Sequence, residues 1–264
     1  MALNLAIIGD GSIASDLRGY LRDHSEIRLL GAVSRHELSA QSVAEGVRRL
    51  EFEAALRDSD VIVEAAGVNA VGEYGSRIVA AGKDFLVTSI GAFADPRLRK
   101  TVLDAGPGRV FPTTGAIGGL DLLAAAAASE GIDRVHLQTR KKPAALLQVW
   151  MSDAERKQLL SCEDELALFQ GSPAEAISRY PASLNVAVAL GLAVGDLEKV
   201  LVTLTADPAA ELTEHIISAE GDSGSYRFEI RNQPSTRQPS SSGLTARSLL
   251  AGLLRLVHPA GRFI

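Results

Sequence analysis

The chain has 264 residues, 46% hydrophobic and 22% charged, with a formal net charge of -5 and one cysteine. That length suits one large or two modest domains with real cores, the composition excludes a disordered chain, and an acidic balance without a basic block excludes a nucleic-acid surface. Lone Cys162 excludes an internal disulfide and a thiolate metal cluster; with no apolar run near the ~18 residues of a membrane span and no basic n-region in "MALNLAIIGDG", a soluble cytoplasmic protein with no membrane partner is expected.

"LNLAIIG" (Leu3 to Gly9) reads as a buried strand and "SIASDLRGYLRDH" as the helix after it. "IRLLGAVS" is a second strand, "SAQSVAEGV" and "FEAALRDS" are helical, and "DVIVEAAG" (Asp60 to Gly67) is a third strand. A helix around "GEYGSRIVAAGK" leads to the strand "DFLVTSIGA". This βαβ rhythm predicts a Rossmann-type, doubly wound parallel sheet over residues 1–110.

A second α/β domain is expected over 111–243. "RVFPTTGAIGGLDLLAAAAASEG" is a strand, a glycine-rich turn and an alanine-rich helix. Four alternating segments follow, "RVHLQTRK", "KVLVTLTA", "EHIISAEG" and "SYRFEIRN", as in a mixed sheet with one covered face and the other against helices or a partner. A homodimer through that face is expected. "NQPSTRQPSSSG" (Asn232 to Gly243) is a loop, and the amphipathic helix over 244–257 can return to the first domain.

The first βα turn, "GDGSIA", is a dinucleotide-binding fingerprint in its proper context of strand, loop and helix. Gly9 permits the tight turn and Gly11 a close approach of backbone to pyrophosphate. Ala14 is small enough for helix–strand packing. The helix N-terminus at Ser12 and Ile13 supplies N–H groups and a partial positive charge. Asp10 is unusual there, because its carboxylate would repel a pyrophosphate; its side chain is expected to point away. At the tip of the second strand an NAD site usually places an acid for the ribose 2′-OH. Here Ser34 and Arg35 stand instead, and the guanidinium can fork onto a 2′-phosphate. NADP is therefore expected to be preferred, with NAD usable.

"TTGAIGGLD" (Thr113 to Asp121), with "VEAAG", "VTSIGAF", "TRKKPAAL", "LFQGSPAEAISRYPASLNVAVAL" and "TADPAAELTEHII", resembles the L-aspartate dehydrogenase family in order and spacing over nearly the whole chain. The resemblance implies a Rossmann domain, a second α/β domain that builds a homodimer, and NAD(P)-dependent conversion of L-aspartate to iminoaspartate, then oxaloacetate and ammonia. It also implies cofactor contacts at Ala116 and Asn185 and a catalytic role for His215. The chain departs from the family at Thr213, where an asparagine is usual, and in "QPSSS" (Gln238 to Ser242), which lacks a lysine. A dehydrogenase of another small amino or hydroxy acid, and a non-catalytic NADP-binding sensor, stay open as alternatives.

Among the other histidines, His24 ends a helix, where the dipole favours a cation, His136 lies within a strand, and His36 and His258 carry no catalytic signal. His215 stands at the mouth of a strand, and an imidazole titrating near neutrality can shuttle protons. Lys141, Lys142, Ser240, Ser241 and Ser242 are candidate partners for substrate carboxylates, the lysines being equally readable as a solvated basic cluster. "GDSGS" (Gly221 to Ser225) mimics a serine-protease motif but reads better as a hairpin turn. No metal site is expected, because HExxH is absent and the acids do not cluster with histidines.

Overall fold

The computed structural model describes residues 2–129, 131–181, 183–235, 237 and 242–259. Apolar β-branched runs at the amino end form strands buried on both faces, as parallel sheets require. Leu3–Ile8 (β1), Ile27–Val33 (β2), Val61–Glu64 (β3), Asp84–Val87 (β4) and Val110–Pro112 (β5) pair in parallel in the order β2-β1-β3-β4-β5. The crossovers carry Ser12–Leu21 (α1), Ala40–Ala44 (α2), Phe52–Asp58 (α3), Val68–Ala80 (α4) and Pro96–Leu103 (α5).

Strands β3 and β4 stop three to five residues earlier than the sequence expectation, for one reason. The carboxylate of Glu64, fully buried at the end of β3, accepts the N–H groups of Ala66 (2.7 Å) and Gly67 (2.8 Å). It also accepts the N–H and hydroxyl of Ser89, at 2.9 and 2.8 Å. Donors that would have continued the ladder turn onto this acid, so both chains bend away from the sheet. Helix α5 escaped the sequence reading although its start is signalled. Asp95 caps it by accepting from the Arg97 and Leu98 N–H groups, and Pro96 opens it.

The described residues fall into two compact units, Met1–Gly115 with Thr245–Ile264, and Ala116–Leu244. The last helix, Leu244–Val257 (α10), belongs almost wholly to the first. Its Ala246, Leu249 and Leu253, on one face at helical spacing, pack against Leu5, Ile7, Val61, Val63 and Leu86. Each buried leucine contributes roughly 1.5–3 kcal/mol, so Leu249→Ala, at a fully buried position, breaks this seat most directly.

The second unit holds Leu120–Ala127 (α6), Arg134–Lys141 (β6), Asp153–Leu160 (α7), Leu166–Gly171 (β7), Pro173–Arg179 (α8), Asn185–Ala193 (α9), Val200–Ala206 (β8), Thr213–Gly221 (β9) and Gly224–Asn232 (β10). Its mixed sheet runs β10-β9-β6-β8-β7, with only β6 and β8 parallel. Four of these elements, α7, β7, α8 and α9, lack sequence expectations. Helices α7 and α8 each open on a capping box, Ser152 with Glu155 and Ser172 with Glu175. Strand β7 carries a register shift between Ala167 and Phe169 that breaks its alternation. Helix α9, "NVAVALGLA", is apolar nearly all round and buried, so it shows no period.

One face of this sheet is core, with Val135, Leu137, Val202, Leu204, Ile217 and Ala219 buried against helices. The opposite face carries His136, Gln138, Thr203, Ile216 and Ser218, half-buried or exposed.

Candidate active site

At the end of β1 the chain turns at Gly9 with φ of 110°, a region that L side chains rarely adopt. A Cβ there would meet the Ala65 carbonyl oxygen at 2.6 Å, so glycine is required. A Cβ on Gly11 would meet nothing within 4 Å, which leaves that side of the loop open to a phosphate. Gly11 is the N-cap of α1 and supplies no side-chain cap, so the first-turn N–H groups at Ser12 and Ile13 face outward from the helix end. Ala14 is fully buried in the core beside β1. The residues fit a dinucleotide.

Gly9 and Gly11 share a cavity of about 430 Å³ with Asp10, Ser34, Arg35 and Tyr74. Arg35 is exposed at its edge. Ser34 is held by Arg49, which donates to its carbonyl at 3.3 Å, and its hydroxyl accepts the His36 N–H at 3.2 Å. Tyr74 is an aromatic wall that helical periodicity alone could not assign to a site.

The side chain of Asp10 is directed at α1 and α2. It accepts the Ser39 N–H at 2.7 Å and Arg18 Nη1 at 2.9 Å, and it also accepts the Ser42 hydroxyl. Burial works to raise its pKa, but the hydrogen bonds from Ser42 and Ser39 and the charge of Arg18 outweigh it and hold the carboxyl below 3.8.

From Gly115 (φ 59°), the last residue of the first segment of unit one, a loop runs through Ala116 to Gly119 (φ 79°) and leads into α6. Ala116 is buried, and its carbonyl accepts Asn232 Nδ2 at 2.6 Å. A Cβ on Gly119 would overlap the Phe228 ring at 2.6 Å, so β10 fixes both ends of this loop. Asn185 opens α9 and donates to the Pro181 carbonyl at 3.0 Å.

His215 is the third residue of β9, paired with Thr139 on β6, and is 2% exposed. Its Nδ1 lies 3.0 Å from Thr139 Oγ1, with the direction of donation set by the tautomer. Lys141, two residues along β6 on the same face, is 4% exposed, whereas Lys142 is exposed. Thr139, Lys141, Thr213 and His215 are all buried and polar, at one end of a face that is otherwise apolar. Burial pushes the Lys141 ammonium down to about 8. Burial, with the nearby charge of Lys141, pushes His215 down to about 3. The ring is therefore neutral near pH 7, which corrects the sequence expectation, and of the two readings left open for Lys141 its burial removes the solvated cluster. The pairing of Lys141 with His215 was not readable from either residue's neighbours.

Ser240 and Ser241 lie outside the described residues, as does most of "QPSSS". Ser242 accepts the Leu244 N–H at 3.1 Å, at the start of α10. Gly243 N–H donates to the Gln233 carbonyl at 3.0 Å and Pro234 bridges Ser242, so the two ends of that loop are held together. "GDSGS" is the tight turn joining β9 to β10, with Gly221 paired to Gly224. Among the described residues, no group of three His, Cys, Asp or Glu could hold a metal, and no helix is long and apolar enough to cross a membrane.

A parallel sheet with an open glycine cradle, in a chain whose second sheet buries a lysine beside a histidine, defines a nicotinamide-dinucleotide oxidoreductase. Residues 9–107 match the profile described as homoserine dehydrogenase, NAD binding domain, and residues 121–256 match that of aspartate dehydrogenase, C-terminal. The chain belongs to the L-aspartate dehydrogenase family. It is 33% identical to an L-aspartate dehydrogenase of a Thermotoga species over 257 residues, covering 96% of this chain and 97% of the other. L-aspartate dehydrogenase 2 of Bordetella pertussis is 34% identical, with 97% of each chain covered. The crystal structure of aspartate dehydrogenase from Thermotoga maritima superposes with a TM-score of 0.77 at 30% identity, over 100% of this chain and 99% of that one. A hyperthermophilic archaeal homoserine dehydrogenase in complex with NADPH, 12% identical with a TM-score of 0.59 and 97% of each chain covered, shares the fold.

Proposed function

We propose that the protein catalyses the NAD(P)-dependent oxidative deamination of L-aspartate to iminoaspartate, which water converts to oxaloacetate and ammonia. The observation that carries this reading is the buried polar end of the second sheet. A lysine and a histidine buried together at one end of an otherwise apolar face, both with depressed pKa values, mark a candidate functional site. Lys141 supplies the cation for a substrate carboxylate. His215, neutral at rest and oriented by Thr139, accepts a proton from the substrate ammonium once a dicarboxylate brings negative charge beside it and raises its pKa. A nicotinamide cofactor, if held by the glycine loop with Ala116 and Asn185, would supply the acceptor for the hydride from Cα.

Gly9, Gly11, Ser12 and Ile13 hold the pyrophosphate, and Ser34 with Arg35 hold the adenosine ribose. The residues directly after β2 are Ser34 and Arg35 rather than an acid, which supports NADP over NAD, while Glu37 also lines the cavity. Ala116, through its backbone, and Asn185 position the nicotinamide. In this reading residues 1–110 bind the cofactor and the last helix completes that domain, while 111–243 bind substrate and form a homodimer through the open sheet face. The test is formation of NADPH and NADH with a panel of amino and hydroxy acids. L-aspartate-dependent reduction is expected. Reduction with another acid alone would overturn the substrate, and none at all would leave a cofactor-binding sensor.

A further inference from the structure

We propose that Asp10 is a positioning residue for the adenosine end of the dinucleotide, locking the glycine loop to the loop that carries Ser34 and Arg35. The proposal rests on the cofactor reading of the cavity and is independent of the amino-acid substrate.

The geometry is specific. Asp10 stands between the two cradle glycines, yet its carboxylate collects donors from three other places. Ser39 gives a backbone N–H at 2.7 Å, Arg18 of α1 gives Nη1 at 2.9 Å, and Ser42 of α2 gives its hydroxyl. Arg18, 5% exposed, also donates to Ser42 Oγ at 2.6 Å and to Glu45 at 3.3 Å, and Glu45 pairs outward with Arg22 at 3.3 Å. The result is a charge chain, Asp10–Arg18–Glu45–Arg22, that links the cradle to the carboxy-terminal ends of α2 and α1.

Two consequences follow from this placement. The acid in the loop is neutralised by a buried guanidinium, so it does not oppose the phosphates as an isolated carboxylate would. Residues 34–38 hang between the end of β2 and Ser39, whose N–H is tied to Asp10. Both ends of the loop are thereby fixed, and its ribose-facing groups are pre-ordered before a ligand arrives. A carboxylate needed only for stability has no reason to sit between Gly9 and Gly11, on the wall of the cavity that Ser34 and Arg35 also line.

Calorimetric titration of the purified protein with NADP, 2′,5′-ADP and nicotinamide mononucleotide tests this, with melting temperatures recorded alongside. In Asp10→Ala, affinity for 2′,5′-ADP is expected to fall at least tenfold, affinity for NADP by a similar factor, and that for nicotinamide mononucleotide by less than twofold. Asp10→Asn keeps an oxygen for the Ser39 N–H and the volume of the side chain, so it should fold even if the alanine variant does not, with an intermediate loss. Unchanged 2′,5′-ADP binding in a folded variant overturns the proposal. An equal loss for both half-cofactors also overturns it, because Asp10 would then be a structural residue of the whole domain. A parent protein that binds no nucleotide overturns the cofactor reading and the proposal together.

Discussion

Replacing Lys141 by methionine keeps most of the aliphatic stem and removes the buried ammonium. A lysine pKa that falls from 10.5 to about 8 on burial corresponds to roughly 3 kcal/mol against the charged form. At pH 7 the group is protonated both folded and unfolded, so this penalty is present in full. Because the folded pKa is depressed, stability is lost as pH falls from 10.5 to about 8, and above 10.5 no penalty remains. Lys141→Met should therefore stabilise the protein by up to about 3 kcal/mol at pH 7, raising the Tm by roughly 6–12 °C at the 2–4 °C per kcal/mol usual for such chains. The gain over the parent should shrink between pH 8 and 10.5. The same change should lower kcat/KM for L-aspartate by about 10–150-fold, the worth of one charge-assisted contact of roughly 1.5–3 kcal/mol. Thermal unfolding followed by circular dichroism across that pH range, with initial rates at pH 8, measures both. A variant that melts below the parent at pH 7, or retains full kcat/KM, would refute the reasoning and make Lys141 a structural residue.

His215→Ala should lower kcat by about 10²–10⁴-fold while NADP affinity, by fluorescence titration, stays within a few-fold; loss of both together would mark a structural histidine. His215→Gln should flatten the acid limb of stability. With a folded pKa of about 3 against 6.5, the parent loses up to about 1.4 kcal/mol per pH unit as pH falls from 6.5 to 3, and denaturant melts at pH 4 and 7 compare the two. Arg35→Ala should weaken NADP by about 10–150-fold, the equivalent of roughly 1.5–3 kcal/mol for a charge-assisted contact, with NAD nearly unaffected; equal losses for both would remove the 2′-phosphate from the argument. Light scattering at micromolar protein should give twice the 27.8 kDa chain mass, and a monomer would refute an interface on the open sheet face.

Local patterning was enough for what depends on neighbours along the chain. The first four strands of the first sheet were legible as short apolar runs between turn residues, whereas β5, which the sequence reading placed at the opening of the second domain, pairs with β4 of the first. The cradle was legible because Gly9, Gly11 and Ala14 have fixed jobs at fixed offsets from one strand end. Alternation marked β6, β8, β9 and β10, and the glycines of "GDSGS" marked the hairpin between the last two. Signals also existed for α5, α7 and α8 in their caps. Helix α9 gave none, since a helix buried on nearly every side has no polar face to set a period.

What the chain folds together could not be read that way. Thr139 and His215 are 76 residues apart in sequence and 3.0 Å apart in space, and only strand pairing in register makes them neighbours. Composition likewise cannot say which of two adjacent lysines is buried. Alternation across β6 turns Lys141 inward, and Lys142 beyond the strand is exposed. The sequence by itself determined that Asp10 had to avoid the phosphates, but its partners Arg18, Ser39 and Ser42 come from two helices and a loop that meet only in the fold. The protonation state of His215 was decided last and by tertiary structure alone, because a pKa depends on the water and charge a folded chain leaves around a group, and neither is written in the residue's type.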